Sequence, residues 1–433
     1  AYDAADDKTG KQKWVDYEKR AAELDRVWGQ AELAYESALL LDSSRRDVRD
    51  RIASVLADRA QLARRDQRED SAKELYARLA VYDDGTHRAR LEAPATVDVI
   101  LEAPADTRVE LRASTGKSFG APPWRVPPGA YQLALTSPTH VDATLPLLVE
   151  PGEQRRVVLH PPRRADVPKD WIWIPAGRGL FGTADLGDEG DFMQTAPLHA
   201  IDTDAFLIQR HETTFGEWIE YLDALAPAER TARTPAVNNV PLLAGGPGAW
   251  RLRFPLPAGE LVGEPGQPAR YAARPGSAPF DWTKLPVVGI APSDAIAYAD
   301  WLATTKRVTG ARLCDEFEWE RAARGADGRR FPHGAAVLAA GDANVDLTWA
   351  NDPARYGPDP VGSYPRSASP FGLLDTAGNV FEMAKSRINA SPLAKGGAFK
   401  FPPSAARLDY REATDDKLRN EAVGVRLCAN APR

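Results

Sequence analysis

Cysteine is nearly missing from this chain. Cys314 and Cys428 are the only two in 433 residues, and they lie far apart, so a short-spaced zinc motif is excluded. Two readings of the pair stay open. It could form a disulfide in an oxidising compartment, contributing about 4–5 kcal/mol through loop-closure entropy for so long a loop, or the sulfurs could be two buried, unpaired thiols. An excess of basic charge is missing as well. The net charge is −6 and the isoelectric point lies near 5.7, which excludes the electropositive face that nucleic acid requires. No apolar run is long enough to span a bilayer. No Ser-His-Asp spacing and no phosphate-cradling Gly loop stands in a readable context. The chain opens on Ala1 with no signal-like segment. It reads as a processed chain or a piece of a longer one, and its targeting is not legible.

Apolar residues make up 43% and charged residues 27% of the chain, a soluble globular composition with enough material for real cores. The length predicts two or three domains. Residues 1–86 are poor in Gly and Pro. Leu24, Val27, Trp28 and Ala31, then Val48, Ile52, Val55 and Leu56, recur at helical spacing. The Asp42-Ser-Ser break and the Asp83-Asp-Gly85 stop bracket two or three helices, a helical hairpin or spacer. Residues 90–163 alternate with period two, as at Val97, Val99 and Leu101 or Tyr131, Leu133 and Leu135. Pro127-Pro-Gly129 and Glu150-Pro-Gly152 supply turns. A small all-β sandwich follows from this pattern, and Val126 to Tyr131 loosely resembles the Pro-Glu-Gly-Ala surface-layer repeat. Pro161-Pro-Arg-Arg164 reads as a linker.

Residues 167–433 form the third unit. Thr214 and Glu217 make a capping box, as do Asp315 and Glu318. The first helix is expected to bury Phe215, Trp218, Ile219 and Leu222. Another, from Ser293, is expected to bury Ala295, Tyr298, Ala299 and Leu302. The stretch from about 225 to 284 is rich in Pro and Gly without periodicity and reads as a surface insertion.

Three runs in this unit stand in a fixed order: Arg312-Leu-Cys314-Asp-Glu-Phe-Glu-Trp-Glu-Arg-Ala-Ala-Arg324, then Phe371-Gly-Leu-Leu-Asp375-Thr-Ala-Gly378-Asn379-Val380-Phe381-Glu382, then Gly424-Val-Arg426-Leu427. This order resembles the formylglycine-generating-enzyme (sulfatase-modifying-factor) family. The resemblance implies an α+β fold of irregular, C-type-lectin-like type, here preceded by the small sandwich and the helical hairpin. It also implies calcium. Asp375 and Glu382 would supply carboxylates and Gly378 and Val380 backbone carbonyls, hard oxygen donors suited to that ion. A second implied site starts at Asn344 and Val345, with Asp352 as its acid and Asp359 as the rival.

Active members of the family carry two cysteines, five positions apart, ahead of the closing motif. Alignment from Gly424 and Arg426 puts Arg407 and Glu412 at those positions, and Ser404 to Thr414 holds no cysteine. Copper(I), which wants soft thiolates, is therefore not expected. The family's sulfoxide synthases use three histidines around iron. The six here are His87, His140, His160, His199, His211 and His333, and none makes the required helical H-x3-H-x-E arrangement. His211 and His333 read as structural.

The aromatic and arginine-rich C-terminal stretch is expected to be a ligand-binding face, made by Arg387, Phe399, Phe401, Arg407, Tyr410, Arg411 and Glu412. Arg407 and Arg411 have internal salt bridges as their alternative. The three-part layout resembles the exported tail of bacterial receptor serine/threonine kinases, although no kinase motif is present, and also variable proteins diversified by retroelements. The reading that results is a non-catalytic ligand-binding or sensor region. It would be extracytoplasmic, with a membrane anchor upstream and a protein or small molecule as its ligand. A divergent oxidase acting on a peptide cysteine is the alternative, and a cell-surface structural protein a third reading.

Overall fold

A computed structural model describes residues 7–113, 115–184, 195–274, 276–387 and 392–432. Three helices, Asp7–Leu41, Arg46–Arg65 and Glu69–Tyr82, lie ahead of the Asp83-Asp-Gly85 stop, within the two or three expected, and a short fourth, Thr86–Leu91, follows it. The chain turns again between Arg65 and Glu69, with Gln67 at φ 56°. Ile52, Leu56, Ala60 and Leu79 close a small core of their own. Leu24 and Val27 on the first helix stay exposed, so only the second predicted stripe is covered.

The sandwich is present in full. One sheet has Trp124–Val126, Ala95–Leu101 and Gln154–Leu159 in that order. The other has Ser118–Phe119, Arg108–Ala113, Gly129–Thr136 and Ala143–Val149. Their inner faces bury Val97, Leu111, Trp124, Leu133 and Val157, as period-two alternation requires. The segment read as a linker is no free tether. Pro161 and Pro162 are buried, Val141 donates to the Pro162 carbonyl at 3.1 Å and Arg164 to that of Thr139 at 2.9 Å. Sandwich and third unit share one continuous buried cluster.

In the third unit, strands Arg312–Leu313, Leu427–Asn430, Phe206–Gln209 and Trp171–Ile174 form one four-stranded sheet. Glu412–Ala413, Leu393–Lys395, Phe381–Ala384 and Val423–Val425 form another. Both capping boxes are made, starting helices Phe215–Ala224 and Glu316–Arg324. The first buries Tyr221, with Ile219 only half-covered, because Tyr221 packs on Tyr298 of the helix Pro292–Thr304 at 5.4 Å. The insertion is no loose surface excursion. It contains a helix, Pro227–Arg233, and a three-stranded sheet, and it buries Trp250, Phe254, Leu261, Tyr271 and Trp282.

Cys314 and Cys428 are joined in a disulfide that closes a loop of 114 residues. The pairing follows from the sheet, where Arg312 stands opposite Cys428 in antiparallel register, and both sulfur-bearing residues are fully buried.

Candidate functional site

The Gly-Asn motif makes a turn of left-handed residues, Gly378 at φ 82° and Asn379 at φ 63°. That turn aims the Asn379 side chain inward as a hub. Its amide donates to Glu212 at 3.1 Å and its oxygen accepts from Asn344 at 3.2 Å and from the Asp359 N–H at 2.9 Å. The strand Phe381–Ala384 then presents Glu382 to Arg426, which donates at 2.7 Å and 2.6 Å to the two carboxylate oxygens. Trp319 donates a third hydrogen bond to Glu382. Two further N–H groups of Arg426 go to the carbonyls of Gln209 and Leu374.

Three buried acids share this one guanidinium. Burial, with the charges of Asp375 and Glu382 beside it, pushes the Glu212 carboxyl well above the usual carboxylate range. Burial also pushes Asp375 up, to about 6.

Two of the implied calcium donors, Asp375 and Glu382, lie here, and their oxygens already have protein partners. Both oxygens of Glu382 are engaged by Arg426. Asp375 accepts from the Gly362 N–H. The Asn344 oxygen accepts from Trp349 at 2.8 Å, while Val345 packs its side chain in a small apolar cluster. Asp352 is exposed and caps a short 3-10 turn by accepting from Ala354. The rival acid is the one in place, since Asp359 lies beside Asn344 and Asn379, but its partners are Arg274 at 2.6 Å and Tyr364 at 2.7 Å. Among the described residues no group of three or more His, Cys, Asp or Glu could hold a metal ion.

The expected ligand-binding face is mostly interior, which corrects that expectation. Arg407 pairs with Asp409 at 2.7 Å and Arg411 with Glu316 at 2.9 Å, and Phe399 and Tyr410 are buried. Phe401 is half-covered, packed edge-on to Phe381 at 5.0 Å. Only Arg387 and Glu412 reach the surface, and Arg387 is held by Asp315 at 2.6 Å. The alternative of internal salt bridges therefore holds for Arg407 and Arg411. A buried ionic web continues through Lys395, Glu320 and Arg324. Bare charges are costly in an apolar interior, and each of these cations finds a carboxylate.

A different surface is concave. An open cleft of about 520 Å³ lies between the sandwich and the strand Trp171–Ile174, lined by Arg112, Arg164, Lys169 and Arg210 together with Trp171 and Phe371. Arg164 is paired with Asp142 at 3.1 Å. Sequence reasoning missed this cleft because its four cations come from three segments far apart along the chain.

Fold and site together define an α+β scaffold whose polar centre is held by ion pairs and whose two cysteines are tied to each other. The sulfatase-modifying factor enzyme 1-like domain family matches residues 158–431, and the chain belongs to that family. It is 31% identical to the formylglycine-generating enzyme of Mycobacterium tuberculosis over 226 residues, 46% of this chain and 70% of the relative. It is 27% identical to the hercynine oxygenase of Mycolicibacterium smegmatis over 304 residues, 62% of this chain and 63% of the relative. It is also 26% identical to the serine/threonine-protein kinase pkn1 of Chlamydia pneumoniae over 348 residues, 75% of this chain and 46% of the relative. The chain thus spans about half to two-thirds of the length of most of these relatives. No helix among the described residues is long and apolar enough to cross a membrane.

Proposed function

We propose that this chain is a non-catalytic ligand-binding or sensor region, exported to an oxidising compartment as part of a receptor-type protein. One observation carries the reading. The two cysteines form a buried disulfide, which leaves no thiolate to grip copper(I) and suits an extracytoplasmic location. The family's cysteine positions hold Arg407, buried against Asp409, and Glu412, which accepts from Tyr410.

The kinase relative supports the receptor layout. Its match takes in 75% of this chain, more than residues 158–431 contain, so the likeness reaches upstream into the sandwich. Of the cleft's four cations, Arg112, Arg164 and Lys169 are paired with Glu110, Asp142 and Asp170, and Arg210, which donates to the Gly372 carbonyl, is the one that suits a ligand carrying carboxylate or phosphate groups.

The deciding experiment incubates the chain with Cu(I) and a cysteine-containing peptide while following oxygen consumption and the peptide's mass. No turnover is expected. Oxygen-dependent conversion of the peptide cysteine that disappears in Cys428→Ser would instead establish the divergent oxidase. A thermal-shift screen of carboxylated and phosphorylated small molecules addresses the ligand. Stabilisers should emerge whose effect is lost in Arg210→Glu, and a stabiliser indifferent to that change would place the ligand outside the cleft.

A further inference from the structure

We propose that Arg274 is a built-in cation for the loop that runs from Asn344 to Asp359, its guanidinium holding Asp359, the rival acid of the second implied calcium site. The inference is independent of the reading above. Arg274 arrives from the insertion, pinned by a turn in which Ser277 donates to its carbonyl from both backbone N–H and hydroxyl at 3.1 and 2.8 Å. Its side chain is 2% exposed.

Three N–H groups point at three oxygens of the loop. Nε donates to the Arg355 carbonyl at 2.7 Å, Nη2 to that of Gly357 at 2.8 Å and Nη1 to the Asp359 carboxylate at 2.6 Å. Two aromatic rings close its faces, Trp349 at 3.7 Å and Tyr271 at 3.9 Å from the ring centroids. The cradle itself is braced. Asn344 donates to the Gly357 carbonyl at 3.0 Å and accepts from Trp349, and Tyr364 donates to the second oxygen of Asp359.

Carboxylate, two carbonyls and a neighbouring amide are the hard-oxygen donors a cation site uses. This set carries one carboxylate, so a single positive charge neutralises it. A planar fork between two rings also gains bidentate-type hydrogen bonding and cation–π attraction, which a spherical ion would not. The cation is thus covalently part of the chain, and the loop's order needs no free metal. The same contact locks the insertion onto the domain.

The test measures thermal unfolding of the intact chain in EDTA and in excess Ca²⁺, with Tb³⁺ luminescence sensitised by Trp349 as the metal readout. The wild-type protein should melt at the same temperature in both and give no sensitised Tb³⁺ signal. Arg274→Ala should melt roughly 3–6 °C lower, the scale expected for removing one member of a buried ion pair in a chain of this size. It should also gain a Tb³⁺ signal that Asp359→Asn abolishes. Arg274→Lys, which keeps the charge and loses the fork, should fall between. A wild-type melting temperature that drops in EDTA and returns with Ca²⁺ overturns the proposal, and this arm stands even if Arg274→Ala fails to fold. A folded Arg274→Ala with unchanged melting, or one that takes no Tb³⁺, overturns it as well.

Discussion

Arg426 and Glu382 meet through two parallel hydrogen bonds, and neither side chain is exposed to solvent at all. Glu382 lies on the strand Phe381–Ala384 and Arg426 directly follows its parallel neighbour Val423–Val425, where Met383 stands opposite Val425. The pair is the electrostatic centre of the domain, since Glu212 and Asp375 lean on the same guanidinium. Removing one partner strands the other in a low-dielectric interior. Glu382→Gln is expected to lose about 3–5 kcal/mol, measured by urea unfolding. The double change Glu382→Leu with Arg426→Met should lose less than Glu382→Gln alone, because the guanidinium leaves together with its strongest partner and the raised pKa values of Glu212 and Asp375 let those two acids take up protons instead.

The disulfide makes a separate prediction. Native protein should show no reaction with a thiol reagent, and two thiols should appear only after unfolding in reductant. Replacing both cysteines by serine should cost about 4–5 kcal/mol through loop-closure entropy. A native protein with two free, titratable thiols would contradict the pairing.

Acid sensitivity should trace to Asp409. Burial raises its pKa, but the hydrogen bond from Arg407 and the charges of Arg324, Arg407 and Lys395 outweigh that and hold the group below the usual carboxylate range. A lowered folded-state pKa means that stability is fully present above the unfolded value, about 4. It is lost as the pH falls further, through the folded value. Melting temperature followed from pH 7 down to about 2 should therefore decline below about pH 4. Asp409→Asn should start lower at pH 7, by about 3 kcal/mol, and should show a shallower decline.

Gly378 should not tolerate a side chain. Its φ is +82°, and a Cβ there would lie 2.5 Å from the backbone oxygen of Asn344, which itself accepts from Asn379. Gly378→Ala should cost about 2–4 kcal/mol from strain and lost packing together. Gly372 is the control. It has a similar φ of +89°, but its nearest neighbour is an Arg210 nitrogen at 3.9 Å. Its alanine variant should lose only the backbone term of about 1–2 kcal/mol, read by the same urea titration.

Both capping boxes could be read from four residues each, because their hydrogen bonds close within one turn of helix. The sandwich strands were legible for the same reason, since alternation is a property of neighbours. Arg407 and Arg411 were ambiguous. Aromatics and arginines in an irregular stretch suit an outer face equally well, and the acid that draws Arg411 inward is Glu316, 95 residues away. Arg274 gave no signal. It sits in a Pro- and Gly-rich run without period, and its partner Asp359 is 85 residues further on.

The amino-acid sequence by itself determined the order of helical, sandwich and family units, the helix starts and the missing cysteine pair, because each is written in residues within a few positions of one another. Only the tertiary structure decided which charges face water and which face each other, where the cations converge, and that Cys314 meets Cys428. The physical reason is that a buried charge or sulfur is defined by its partner, and the fold alone brings partners from distant segments into contact.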